Sequence, residues 1–452
     1  MRFGAIVGAA LVSAALLISA TGSVRADAMP LNGTLPGGGT YIVRPLGGAP
    51  VAAISLWYRA SSSGFGATPS PGIGRLAATA VAASQPITGT PLGTFINGLG
   101  GRMAISAYPE SVAISLLVPA DRAEAAVRAL TRSFFAPVLT DGGLQAARRT
   151  VAEEAAIRSL SPESSIQDRL YASLFAGGPA KAPPFPVPAA VDGVTLAQVR
   201  DYAERAFRPG NAVLVLSGQV TAELTAGALA GREDALRTAE TAQPEKTAVP
   251  VPVVITGPSG GFGLAWAGPP IVDEAAATAF DFIADYLFAD GGAVQQAADA
   301  SGTSLDGTFV TYHDPGIFLV TGTGGNVAAA RAAVEAALAS IQKPLPAATF
   351  ERARRAFIYR LLSHAQTPDL LADNYGWYAV EGAPAYTPGD AGADGQYLRA
   401  AAALTPAFVA ATAATYLGRP GAVVTIATAS PAPVSPSPAP SPSPAPKGTS
   451  SK

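Results

Sequence analysis

The chain has no cysteine and only two histidines, His313 and His364, in 452 residues. Without cysteine there is no disulfide, no thiol nucleophile and no thiolate metal site. Two histidines cap any histidine-based metal centre at two such ligands. Charge is scarce as well: 14% of the residues are Asp, Glu, Lys or Arg, the formal net charge is −2, and no run of Lys or Arg occurs. That leaves no electrostatic footprint for nucleic acid. What the chain has in quantity is apolar and small residues, 49% hydrophobic with 48 Gly and 40 Pro. This suffices for a packed core and excludes wholesale disorder, and the length allows two or more domains.

Both ends read as accessory segments. Residues 1–26 have the pattern of a secretory signal: Arg2, an apolar run from Ala5 to Ala20, and small residues at Val24-Arg25-Ala26. Ala26-Asp27-Ala28 serves equally, so cleavage follows Ala26 or Ala28. The alternative is an uncleaved anchor, for which the run is short. Export to a secreted or periplasmic location is the expectation, with no membrane span after cleavage. At the other end, residues 430–452 form a Pro/Ser-rich tail, expected to be extended or disordered.

Between them, strand and helix patterns mix. Strands are expected at Leu35–Arg44, Val51–Arg59, Met103–Tyr108, Ser111–Val118 and Ala212–Leu216. Helices are expected at Arg75–Ser84, Asp121–Phe135, Asp141–Leu160 and Leu196–Phe207. The second half repeats the first. AAVRAL at 125–130 answers to AAVEAAL at 332–338, and Val127 with Val334 has the same separation as Pro137 with Pro344. FRPGNAVLVL at 207–216 pairs with GRPGAVVTIA at 418–427. A period this long points to a duplicated domain rather than a solenoid. The expected organisation is a domain over 31–225, a linker over 226–250 and a second domain over 251–429. The fold class is α+β, two tandem α/β sandwich domains, each an antiparallel-rich sheet with helices packed on it.

The order of these pieces resembles the insulinase/pitrilysin metallopeptidase family, which includes the mitochondrial processing peptidase. The resemblance is carried by LPGGGTYIVRPLGGAPVAAISLWYRASSS at 35–63, LGGRMAIS at 99–106, RRTVAEEAAIR at 148–158 and YAERAFRPGNAVLVLSGQV at 202–220. It spans roughly residues 31–428. The family implies zinc held by a His-x-x-Glu-His helix, the glutamate activating the metal-bound water, with a distal glutamate as further ligand. Here those motif positions are Arg75, Ala78 and Thr79, and of the ligand positions only the distal one, Glu154, keeps its residue. One carboxylate cannot supply the three protein ligands a zinc site needs, so zinc is expected to be absent and no catalytic residue is assigned. Glu153 and Glu154 then read as a solvated helix face.

The resemblance also implies an Arg/Tyr pair that grips substrate, whose positions are Ala298 and Leu305 (Asp299 if the register slips by one), and an edge-strand Asn, whose position is Ala104. The edge strand Met103, Ala104, Ile105, Ser106 and Ala107 could still take a peptide by main-chain pairing. His313 and His364 read as polar surface or helix-end residues. Trp57, Trp266, Trp377, Tyr375 and Tyr378 read as packing. The favoured function is a secreted non-catalytic partner of a zinc peptidase of the same family. The alternatives are an active zinc metalloendopeptidase and a free-standing peptide-binding or structural protein.

Overall fold

The computed structural model describes residues 31–428 except 36, 49, 66–69, 85–88, 183–187, 222, 225–244, 365 and 384–392. The expected signal, most of the linker and the Pro/Ser tail lie outside the described residues. In chain order the first half comprises β1 (Leu31–Thr34), β2 (Thr40–Pro45), β3 (Val51–Arg59), α1 (Ile73–Ala83), α2 (Leu92–Gly98), β4 (Arg102–Ala107) and β5 (Ser111–Pro119). It continues with α3 (Ala123–Phe135), α4 (Asp141–Ser159), α5 (Pro162–Leu174), α6 (Pro188–Asp192), α7 (Leu196–Ala206) and β6 (Ala212–Gly218). The second half comprises β7 (Val253–Gly257), β8 (Gly261–Ala267), α8 (Glu274–Phe288), α9 (Ala293–Ser301), β9 (Ser304–Val310) and β10 (Ile317–Thr323). It ends with α10 (Val327–Ser340), α11 (Ala347–His364), α12 (Pro368–Glu381), α13 (Ala393–Ala403), α14 (Pro406–Leu417) and β11 (Ala422–Thr428).

From β2 onward the two halves run through the same succession of strands and helices, and their sheets agree. The first is ordered β1-β2-β6-β3-β5-β4 and the second β7-β11-β8-β10-β9. In each, the first strand of the repeat lies parallel to the last, β2 on β6 and β7 on β11. All other neighbours are antiparallel. The mixed α/β architecture with two antiparallel-rich sheets is the one expected from the sequence.

Local chemistry sets several boundaries. The side chain of Thr140 accepts from the Gly143 N–H at the start of α4, and Ser161 caps α5, which begins with Pro162. Thr195 and Gln198 form a reciprocal capping box on α7. Helix α1 starts at Ile73, earlier than the turn chemistry of the sequence suggested. Gly72 precedes it in the left-handed region at φ 77°, and Gly74 lies inside the first turn. Central strands are buried on both faces, which is why β3 and β6 read as nearly unbroken apolar runs.

The halves exchange helices. One face of the first sheet packs on its own α1, α3, α4 and α7 through a core that includes Leu76, Val127, Leu144 and Tyr202. Its other face is covered by α12 of the second half, where Leu371, Ala372, Tyr375 and Val380 meet Ala53, Trp57, Val213 and Val215. Reciprocally, α5 of the first half lies on the second sheet, with Ile166, Leu170 and Leu174 against Ala265, Leu319, Val424 and Ile426. Burying each such side chain contributes about 1.5–3 kcal/mol, so the two halves are held as one body. The last residues of the expected linker join in: Phe175 and Thr247 form a β-bridge, and the Ala248 N–H donates to the Leu174 carbonyl at 2.8 Å. Among the described residues, no single helix is long and apolar enough to cross a membrane.

Candidate functional site

Strand β4 is the outer strand of the first sheet, and α1 crosses close to it. Arg75 stands in the first turn of α1, the only charged residue of IGRLAATAVAA. A guanidinium on an otherwise apolar helix needs a partner, and Glu154 of α4 supplies it. Arg75 Nε donates to Glu154 Oε2 at 3.0 Å, and Nη2 donates to Oε1 at 2.5 Å. The remaining nitrogen, Nη1, donates to the main-chain carbonyl of Ile105 on β4. The Arg75 side chain is 11% exposed and that of Glu154 35%. Glu154 is therefore the anchored half of a bidentate pair, not the solvated helix-face residue expected from the sequence; Glu153 beside it is exposed.

The other motif positions lie on the same helix. Ala78 is fully buried. Thr79 directs its hydroxyl to the Arg75 carbonyl one turn earlier, at 2.8 Å. The donor set at this place is thus one carboxylate with both oxygens engaged by a cation, a methyl group and a hydroxyl bonded into its own helix. These residues do not fit a zinc ion, which requires three protein ligands free of competing positive charge. Among the described residues no three His, Asp or Glu side chains gather elsewhere to hold a metal.

The candidate peptide-binding residues Met103, Ala104, Ile105, Ser106 and Ala107 all lie on β4, paired on one side only, with β5. Beyond the Ala107 end a cavity of about 260 Å³ opens between β4, α5 and the end of β9. Two pairs of its polar side chains engage each other. Arg158 holds Asp168 in a bidentate bridge at 2.6 and 2.7 Å, and the Tyr171 and Tyr312 hydroxyls are 3.1 Å apart. Burial pushes the Tyr171 phenol up to about 12. Ala298 is buried within α9, and Leu305 lies on β9, the edge strand of the second sheet.

Above this cavity the halves meet through a pair of acids. Glu110, in the β4–β5 turn, faces Glu381, the last residue of α12. Glu381 is buried, and its Oε1 accepts from the Ser111 hydroxyl at 3.1 Å. Burial first, then the neighbouring Glu110, push the Glu381 carboxyl well above the usual range, and burial raises Glu110 as well. His313 is part of this junction rather than a surface residue. Its main-chain N–H donates to Glu110 Oε2 at 3.2 Å and its Nδ1 is 3.1 Å from the Glu381 carbonyl. His364 ends α11. The aromatic residues pack as expected: Trp57 stacks on Tyr108 at 5.8 Å and meets Trp377 edge-on at 6.0 Å, and Trp266 lies against Phe318.

Sequence reasoning missed two things here. Arg75 was readable as a lone charge on an apolar helix, but its partner lies far along the chain. The Glu110–Glu381 contact joins the two halves and leaves no local signal at all.

Residues 193–357 match the family described as the Peptidase M16 inactive domain. Comparison with curated proteins returns no match. Among solved structures, the chain is similar to a protease from Helicobacter pylori, with a TM-score of 0.76 and 15% identity over 88% of this chain and 99% of that one. A putative M16-like peptidase from Alicyclobacillus acidocaldarius gives 0.73 and 16%, covering 88% of this chain and 98% of that one. A chain of Complex III2 from Candida albicans, with Inz-5 bound, gives 0.72 and 14%, covering 87% and 95%.

Proposed function

We propose that the chain is an inactive-type member of the M16 (insulinase/pitrilysin) peptidase family and works as a non-catalytic partner of a zinc peptidase of the same family. The observation that carries this reading is the Arg75–Glu154 pair. The one retained ligand position is neutralised by the residue that replaces a histidine, so this chain takes no zinc there and moves no proton. Its contribution is shape: a closed two-half body, an outer strand β4, and a cavity beside it. The likeness to a chain of a multisubunit complex accords with a role in assembly. The signal pattern at residues 1–26 supports a secreted or periplasmic setting for this partnership.

The test is a pull-down of the tagged mature chain from its native envelope fraction, with mass spectrometry of what is recovered. A His-x-x-Glu-His relative in near-equal amount is the expected result. Recovery of the chain alone contradicts the subunit reading. A second reading, a free-standing peptide binder, draws on the exchange of α5 and α12, through which the two halves close on each other within one chain. Under it the chain alone binds extended peptide along Met103–Ala107.

A further inference from the structure

Arg75 does more than neutralise Glu154. The Tyr108 N–H donates to the Ser111 carbonyl across the β4–β5 turn at 2.8 Å. Antiparallel pairing alternates, so Ser106, Ala104 and Arg102 turn their main-chain groups toward β5, while Ala107, Ile105 and Met103 turn theirs outward. Those three residues are the edge to which another strand could add. The guanidinium donates to the middle one, the Ile105 carbonyl. It is nearly buried and pinned through its other two nitrogens by a bidentate carboxylate, so it is a fixed feature of the edge rather than a mobile surface side chain.

Exposed strand edges recruit other strands, and proteins blunt them with charged groups placed along the edge. We infer that Arg75 is an edge cap: the residue filling the metal position shields the middle of β4, and an extended segment pairs across Ile105 only when the guanidinium is withdrawn from that carbonyl. The inference rests on the reading of β4 as a peptide-binding edge and adds how that edge is regulated. The occupant it selects against is an extended backbone, because the groups at stake are main-chain groups. The cavity beyond Ala107 offers no competing charge, since Arg158 and Asp168 are spent on each other.

The experiment uses the full mature chain and a soluble, lysine-flanked, fluorescein-labelled peptide of alternating threonine and valine, read by fluorescence anisotropy. The R75A/E154A variant removes the cap without stranding a charge. It is expected to bind at least about tenfold more tightly than the wild-type chain, the effect of freeing one charge-assisted contact. The same peptide N-methylated at alternate residues is expected to lose that gain, which marks strand addition. If R75A/E154A does not fold, R75M/E154Q keeps the packing volume and gives the same readout. Equal affinity of wild type and variant overturns the cap and leaves the peptide-binding edge standing. Binding by neither overturns the edge itself, and the cap with it.

Discussion

Gly376 of α12 lies directly against Trp57 of β3: a methyl group on Gly376 would stand 2.0 Å from the indole nitrogen. The second sheet has the counterpart. A methyl on Gly263 of β8 would stand 2.1 Å from Ile166 of α5. Glycine at each place lets a helix of one half sink onto the sheet of the other, so the exchange of helices depends on two missing side chains. Gly376→Val is expected to destabilise the chain by about 1–3 kcal/mol or more, as overpacked cores do. Thermal unfolding should show the loss, and both halves should melt together. Separate melting of the two halves would show that the exchange does not hold them as one body.

The Arg75–Glu154 pair makes an asymmetric prediction. Glu154→Ala strands a nearly buried guanidinium and is expected to cost about 1–3 kcal/mol. The double change R75A/E154A removes both charges and should cost less than the sum of the single changes. Denaturant titration of the four proteins gives the coupling. Additive effects would mean that the pair contributes nothing beyond its separate side chains.

How far this arrangement was legible depended on the range of the interactions. Strands such as β3 and β5 announce themselves by local β-branched and apolar runs, and the duplication by matched segments such as those ending in β6 and β11. The edge position of β4 followed from resemblance and is where the sheet order puts it. The exchange of α5 and α12 was not legible. Nothing in the residues of either helix says which sheet it covers. Glu154 was misread for the same reason: a carboxylate on a helix face looks solvated until the distant Arg75 is folded against it.

Buried acids set the pH response. Burial pushes Asp281 up to about 7, despite the hydrogen bond from Tyr397 and with Asp285 nearby adding to the rise, and pushes Glu245 up to about 7. Burial, and then the neighbouring Glu110, also raise Glu381 well above the usual carboxylate range, against the opposing pull of Ser111 and Arg59. Each group holds its proton more tightly folded than unfolded. The folded chain therefore binds more protons, and stability falls as pH rises from about 4.5 through 7. Melting temperature should be higher at pH 5 than at pH 8. Glu381→Gln, which keeps the size and the contact with Ser111 but does not titrate, should flatten that slope. A melting temperature that rises from pH 5 to pH 8 would contradict the assignment.

Rebuilding the missing ligands tests the scaffold. Arg75→His, Ala78→Glu and Thr79→His together restore His-x-x-Glu-His beside Glu154. If α1 and α4 still stand in metallopeptidase geometry, the triple variant should bind zinc, and Glu154→Ala within it should abolish that binding. Failure of a folded triple variant to bind would show that the helices no longer hold that geometry.

The most direct measurement is the zinc content of the purified wild-type chain after equilibration with excess Zn²⁺ and removal of loose metal, by elemental mass spectrometry. With Glu154 spent on Arg75, the predicted result is no stoichiometric zinc, and none that depends on Glu154. One equivalent of zinc per chain that disappears in Glu154→Gln would contradict the account, because Glu154 would then be a ligand and the pair with Arg75 would not hold in solution.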